Sequence, residues 1–232
     1  MQKKKRITAL DIPLALVVVL LLFSLAVVLT LAFRPLYYRD ITALDIPGAS
    51  GFSAADIRAN YDALIDYNSL FYRGALHFPT LPMSEAGRIH FAEVKNIFDA
   101  IQVLLLVALP LAAVGAIWQL RKKRPGFLLL AGILSLALPA VAGLVILASW
   151  ENFFVLFHRL AFNNDYWIFD AATDPVILQL PDTFFLHCAL LIIALVVVGS
   201  AALLVAYALL RRRHAKAGAG PDGAASGPPK KL

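Results

Sequence analysis

Four long apolar runs, residues 12–33, 97–120, 127–149 and 184–210, dictate what this 232-residue chain can fold into. A hydrocarbon layer takes about 20 apolar residues to cross as a helix, and each run meets that length. No water inside the layer satisfies backbone N–H and C=O groups, so a spanning segment is a helix or part of a closed barrel. The alternating pattern of barrel strands is absent, and 60% of the residues are hydrophobic. The expectation is an all-α integral membrane protein with four transmembrane helices.

Charge orients the spans. Lys3, Lys4, Lys5 and Arg6 precede the first, Arg121, Lys122, Lys123 and Arg124 separate the second from the third, and Arg211, Arg212, Arg213 and Lys216 follow the fourth. The two remaining connections are net acidic. The bias of Lys and Arg toward the cytoplasmic side predicts both termini inside and two long loops outside. The net charge of +6 gathers at the membrane edges, where topology and anionic headgroups explain it better than nucleic acid. The first run is longer than a signal-peptide core and lacks a small-x-small cleavage site, so it reads as a retained anchor. One cysteine, Cys188, excludes internal disulfides and the dithiol chemistry of four-helix quinone-linked disulfide oxidases.

A single membrane domain is expected over residues 1–214, with an outer loop at 34–96, a second at 150–183 and a disordered cytoplasmic tail at 215–232. In the first loop Ser53-Ala-Ala-Asp56 reads as a capping box. Ile57, Tyr61, Leu64, Ile65, Asn68, Phe71 and Tyr72 follow at helical spacing. These predict an amphipathic helix over about 53–73, lying at the headgroup level or packed on the spans. Ser84 is a candidate N-cap for a helix running through His90 into the second span. Asn163-Asn-Asp165 marks a chain reversal in the aromatic second loop. The heptapeptide Ile7-Thr-Ala-Leu-Asp-Ile-Pro13 recurs unchanged as Ile41-Thr-Ala-Leu-Asp-Ile-Pro47; nothing in the sequence explains it.

Two histidines bracket apolar runs at what this topology makes one membrane face. His90 precedes the second span and His158 follows the third. His90 and Glu93, three residues apart, share a helix face, so the carboxylate could hold one imidazole nitrogen protonated and leave the other as a base. Lys95, Asp99 and Gln102 carry polarity into the span, where ionisable groups are costly and mark function. His90, Glu93 and His158 could also be a His₂Glu zinc site, without the H-E-x-x-H spacing. His187-Cys188 could be a nucleophile pair, but neighbours on a helix point about 100° apart. Trp167 and Tyr166 suit the interfacial aromatic belt. His77 and His214 carry little signal. No Walker, Rossmann or G-x-S-x-G motif is present.

The segment Met83-Ser-Glu-Ala-Gly87-Arg-Ile-His90-Phe91-Ala-Glu93-Val94-Lys95 resembles a signature of the bacterial lipoprotein intramolecular transacylase family (Lit). So do Phe157-His158 with Phe162, Asn163, Asp165 and Trp167, then Asp174, Pro181 and Phe184; Asn60-Tyr61 and Tyr67-Asn68 fit the same pattern. The resemblance covers roughly residues 33–185 and includes the four-span plan. It implies a bacterial cytoplasmic-membrane acyltransferase with an extracytoplasmic active face. The implied substrate is a lipoprotein with a diacylglyceryl-modified N-terminal cysteine, whose sn-2 acyl chain moves to the cysteine's own α-amino group to give a lyso-form lipoprotein. Such an ester-to-amide transfer runs downhill, in keeping with the missing energy-coupling motif. The implied catalytic residues are His90, His158 and Glu93, with His90 oriented by Glu93 as the preferred base and His158 stabilising the oxyanion or protonating the leaving glycerol oxygen; the sequence leaves open an exchange of the two histidine roles. Tyr61, Arg88, Lys95, Asn163, Asp165, Trp167 and Asp174 are expected to bind substrate or support the site. No cofactor, metal, nucleic acid or obligate protein partner is implied; the expected partners are diacylglyceryl-modified lipoproteins and membrane lipid. The alternatives from the residues alone are a non-enzymatic four-span binding or scaffold protein and a His/Glu metal-dependent hydrolase.

Overall fold

The computed structural model describes residues 7–217, which form nine helices and no strand. The helices are α1 (Asp11–Ala32), α2 (Arg34–Ala43), α3 (Ile46–Ser50), α4 (Ala54–Tyr67), α5 (Glu85–Arg121), α6 (Gly126–Ala148), α7 (Trp150–Ala161), α8 (Val176–Gln179) and α9 (Asp182–Ala217). Helices α1, α5, α6 and α9 are long and apolar enough to cross a membrane, and the all-helical, four-span class is the one the apolar runs predict. Basic residues 3–6 and the tail from 218 lie outside the described residues; α9 continues as helix to Ala217, past the point where disorder was expected to begin.

Helix α1 packs against α5, α6 and α9, and α6 packs along α9. Lipid tails are as apolar as leucine, so close approach of backbones rather than hydrophobic exclusion holds such helices together. Three glycines serve that purpose: Leu14 seats on Gly115, Leu22 on Gly199 and Leu204 on Gly132. Much of the remaining apolar surface faces outward, as at Val114, Leu144 and Leu147. At one end of the bundle the buried Asp11 carboxylate accepts from Gln119 Nε2 at 3.2 Å, tying the start of α1 to the end of α5.

At the other end α2, α3, α4 and α8 build a cap with its own core, including Tyr37, Ile41, Ile46, Ile57, Tyr61, Leu64, Tyr67 and Phe184. The apolar stripe of α4 faces this core. The helix starts at the predicted Ser53 cap, whose hydroxyl accepts from the Asp56 N–H at 3.1 Å, but stops at Tyr67 rather than near residue 73. Gln102 of α5 diverts the backbone there: its Nε2 donates to the Asn68 carbonyl at 2.9 Å and its Oε1 accepts from the Leu70 N–H at 3.1 Å. The cap is also pinned to α9, where His187 Nδ1 lies 2.6 Å from Oδ2 of the fully buried Asp40. The two copies of the repeated heptapeptide differ. Asp11 opens α1 from a buried position, whereas Asp45 is exposed, with φ of 47°, and caps α3 by accepting from the Gly48 N–H.

Candidate active site

His90 owes its position to the first turns of α5. Ser84 caps that helix by accepting from the Gly87 N–H at 3.0 Å. Asp174, 3% exposed, accepts from the Ser84 N–H at 2.7 Å and from the Thr173 hydroxyl at 2.8 Å. A negative group at a helix N-terminus is favoured by the helix dipole, so the second loop docks where α5 begins. His90 lies nearly two turns further on, 6% exposed, before the 97–120 apolar run.

His158 comes from α7, which starts at the Ser149 cap directly after α6. Its Nδ1 lies 2.8 Å from the Phe154 carbonyl oxygen, one turn back. A carbonyl only accepts, so the proton is on Nδ1 and the neutral ring keeps its lone pair at Nε2. The two imidazoles face each other, centroids 6.2 Å apart and planes inclined by 30°. Phe162 and Phe169 enclose His90 at 4.7 and 5.4 Å, and Phe154 and Trp167 enclose His158 at 4.2 and 4.9 Å. Burial holds His158 below the ordinary histidine value, against the pull of the Phe154 hydrogen bond. Burial also lowers His90, and the neighbouring His158 adds to it. Both rings are therefore held neutral, which suits a base and a neutral donor.

Glu93 does not orient His90. Its Oε1 accepts from Asn164 Nδ2 at 2.8 Å, while Oε2 and His90 Nδ1 are shielded from solvent without a hydrogen-bond partner. The direct contact expected from the i,i+3 spacing is replaced by one across 71 residues of sequence. Asn164 is the residue the sequence reading missed. Its Oδ1 accepts from the Tyr166 N–H at 3.0 Å and its carbonyl accepts from Trp167 Nε1 at 3.0 Å. It thus links Glu93, on the helix of His90, to the tryptophan that walls His158. Its only sequence signal was its place inside the Asn163-Asn-Asp165 turn.

The other expected residues divide. Trp167 lies on His158, and Asp174 supports α5 from below the site. Asn163 and Asp165, on either side of Asn164, are exposed. Arg88 points outward and pairs with Glu85. Lys95 donates to the Ser69 carbonyl at 2.9 Å and to Asp99 at 3.1 Å, bracing the cap instead of the histidines. Tyr61 is stacked on Tyr37 at 3.8 Å inside the cap core. His187 is turned to Asp40, and Cys188 packs half-buried against the cap core. Among the described residues no three His, Cys, Asp or Glu side chains are grouped as metal ligands.

Four spanning helices beneath a helical cap, with two imidazoles enclosed together beside the start of α5, define a multi-pass membrane protein with a shielded two-histidine site. Residues 12–185 match the family described as lipoprotein intramolecular transacylase Lit. The chain is similar to the in meso structure of the membrane integral lipoprotein intramolecular transacylase Lit from Bacillus cereus, at 40% identity and a TM-score of 0.87, over 89% of this chain and 96% of that one. Two structures of the Bacillus cereus protein with a histidine substitution also match. The histidine-to-arginine form has 39% identity and a TM-score of 0.81 over 90% and 93% of the two chains. The histidine-to-alanine form has 40% identity and a TM-score of 0.81 over 89% and 94%. No curated protein sequence matches. The chain belongs to the lipoprotein intramolecular transacylase (Lit) family and is an acyltransferase.

Proposed function

We propose that this transacylase moves the sn-2 acyl chain of a diacylglyceryl-cysteine lipoprotein to the α-amino group of the same cysteine, with His158 as base and His90 as hydrogen-bond donor. The observation that carries this reading is the pair of facing imidazoles, 6.2 Å apart, of which one has its tautomer fixed. His158 presents only a lone pair at Nε2, so it takes the proton from the substrate ammonium. The freed amine attacks the sn-2 carbonyl carbon and a C–N bond forms. His90, with no internal partner for Nδ1, donates to the carbonyl oxygen as negative charge builds there. The sn-2 C–O bond breaks, the glyceryl oxygen takes the proton from His158, and His158 accepts the second amine proton and releases it to solvent. These roles reverse the assignment preferred on spacing alone, because Glu93 engages Asn164 and His158 carries the orienting hydrogen bond.

Donor ester and acceptor amine belong to one molecule, so the enzyme's contribution is largely orientation. An aromatic enclosure of Phe154, Phe162, Trp167 and Phe169 keeps water, the competing nucleophile, away from the ester. Arg121, Lys122, Lys123, Arg124, Arg211, Arg212 and Arg213 sit at the bundle end opposite the cap, which favours a cytoplasmic face there and an extracytoplasmic site.

The test expresses the protein in bacteria that make only diacylglyceryl lipoproteins and examines an N-terminal lipopeptide by tandem mass spectrometry. Intramolecular transfer leaves the mass unchanged, so fragmentation must locate the chain. An amide-linked chain with wild type, absent with His158→Ala and His90→Ala, is the expected result. An unaltered diacyl peptide in the presence of well-folded wild type would refute the reading.

A further inference from the structure

We propose that Glu93 docks the positively charged α-ammonium group of the lipoprotein's N-terminal cysteine, and that Asn164 holds the carboxylate in position to do so. The inference rests on the transacylase reading above and gives Glu93 a role distinct from orienting a histidine.

Glu93 follows His90 by three residues on α5, so the two side chains leave the same helix face. The Glu93 oxygens are unequal: Oε1 accepts from the Asn164 amide at 2.8 Å, and Oε2 is shielded from solvent and accepts nothing. The amide partner is neutral and leaves the negative charge uncompensated. Among the described residues no Lys or Arg forms an ion pair with Glu93; on the same helix Arg88 is engaged by Glu85 and Lys95 by Asp99. A shielded carboxylate oxygen with neither hydrogen bond nor counter-ion is costly, and a ligand with N–H protons and positive charge offsets that cost.

The acceptor end of the substrate is such a ligand. An α-amine has a reference pKa of about 8, so near neutral pH it arrives mostly as an ammonium with three N–H donors. One donates to Glu93 Oε2 and a second points to His158 Nε2, which removes it. After that transfer the neutral amine still donates to Glu93, and its lone pair is free for the sn-2 carbonyl. Acylation leaves a neutral amide with a single N–H, which makes no ion pair with Glu93. The same contact therefore selects a free N-terminus and loosens once the chain has moved. Asn164 is the positioning residue: its amide fixes the carboxylate, and its carbonyl fixes the Trp167 wall beside His158.

The experiment uses two diacylglyceryl-cysteine lipopeptides in lipid nanodiscs, one with a free α-amine and one N-acetylated. Binding is measured on His158→Ala protein, which leaves the peptide unconsumed, with and without Glu93→Gln. A charge-assisted hydrogen bond predicts about tenfold or greater preference for the free amine, lost on Glu93→Gln and partly kept by Glu93→Asp. Equal binding of the two peptides when Glu93 is intact overturns the proposal, whatever the variants' folding. So does a preference that survives Glu93→Gln in protein with an unchanged melting temperature. Acyl transfer by wild type is followed in parallel by tandem mass spectrometry: its absence refutes the transacylase reading, whereas transfer without amine preference refutes the Glu93 role alone.

Discussion

The Asp174 carboxylate packs against the α-carbon of Gly87 more closely than a β-carbon allows. The second outer loop thus reaches the first turn of the helix that carries His90, and the absent side chain is what lets Asp174 bond the Ser84 N–H. Gly87→Ala must displace Asp174 and is expected to cost about 1–3 kcal/mol through overpacking. Asp174→Ala exposes the same turn by removing its acceptor, at about 1–3 kcal/mol. The double variant should be less damaging than the sum, because alanine at 87 has nothing to strike once Asp174 is gone. Thermal melts in one detergent measure all three; strict additivity would show that the contact does not couple them.

Removing either imidazole should lower the transfer rate by about 10²–10⁴-fold, the usual worth of a positioned acid or base, with little change in melting temperature. The two variants should part at high pH. Above about pH 8 the substrate amine loses its proton unaided, so His158→Ala should recover part of its rate and His90→Ala should not. Recovery by His90→Ala alone would exchange the assigned roles.

The pH dependence of the wild type follows from burial. His158 is held below the ordinary histidine value, so the proposed base stays neutral and competent as pH falls through about 6.5. Activity is lost only where the lowered value is crossed and the ring takes up a proton. A kcat-against-pH profile should place the acid limb below 6.5; a limb at or above that value would contradict the enclosed geometry.

Asn164→Ala should cost activity and stability together. It deprives a carboxylate of a hydrogen bond worth about 1.5–3 kcal/mol and frees the turn that presents Trp167. Asn163→Ala, one residue away and exposed, should leave both near wild type. Initial rates and melting temperatures of the pair decide it, and equal effects would remove Asn164 from its linking role.

The parts of this architecture that were legible in sequence are those that depend on local composition. The spans follow from apolar length, and the Ser53 and Ser84 caps from the residues beside them. What depended on distant partners was not legible. Glu93 and His90 are compatible with a hydrogen bond by spacing, yet Asn164 on another segment takes the carboxylate. Asn68, Phe71 and Tyr72 continue a helical stripe, yet Gln102 of α5 ends the helix by competing for its backbone. Arg88 and Lys95 looked like site residues because they flank His90 in the chain; rotation around the helix puts one in solvent and the other against the cap. The heptapeptide repeat makes the same point within one molecule, since Ile-Thr-Ala-Leu-Asp-Ile-Pro opens a spanning helix at Ile7 and bridges two cap helices at Ile41.

Helix α5 is continuous from Glu85 to Arg121, about 55 Å at 1.5 Å per residue, and carries His90 on the same rod that crosses the bilayer. The height of His90 above the hydrocarbon boundary is therefore set by how that rod matches membrane thickness, by tilt or by deformation of the lipid. The glyceryl ester of a lipoprotein rides at a level fixed by its own acyl chains. On the proposed reaction the enzyme would act as a caliper, and turnover in vesicles of short-chain, medium-chain and long-chain phosphatidylcholine should peak where rod and ester come level.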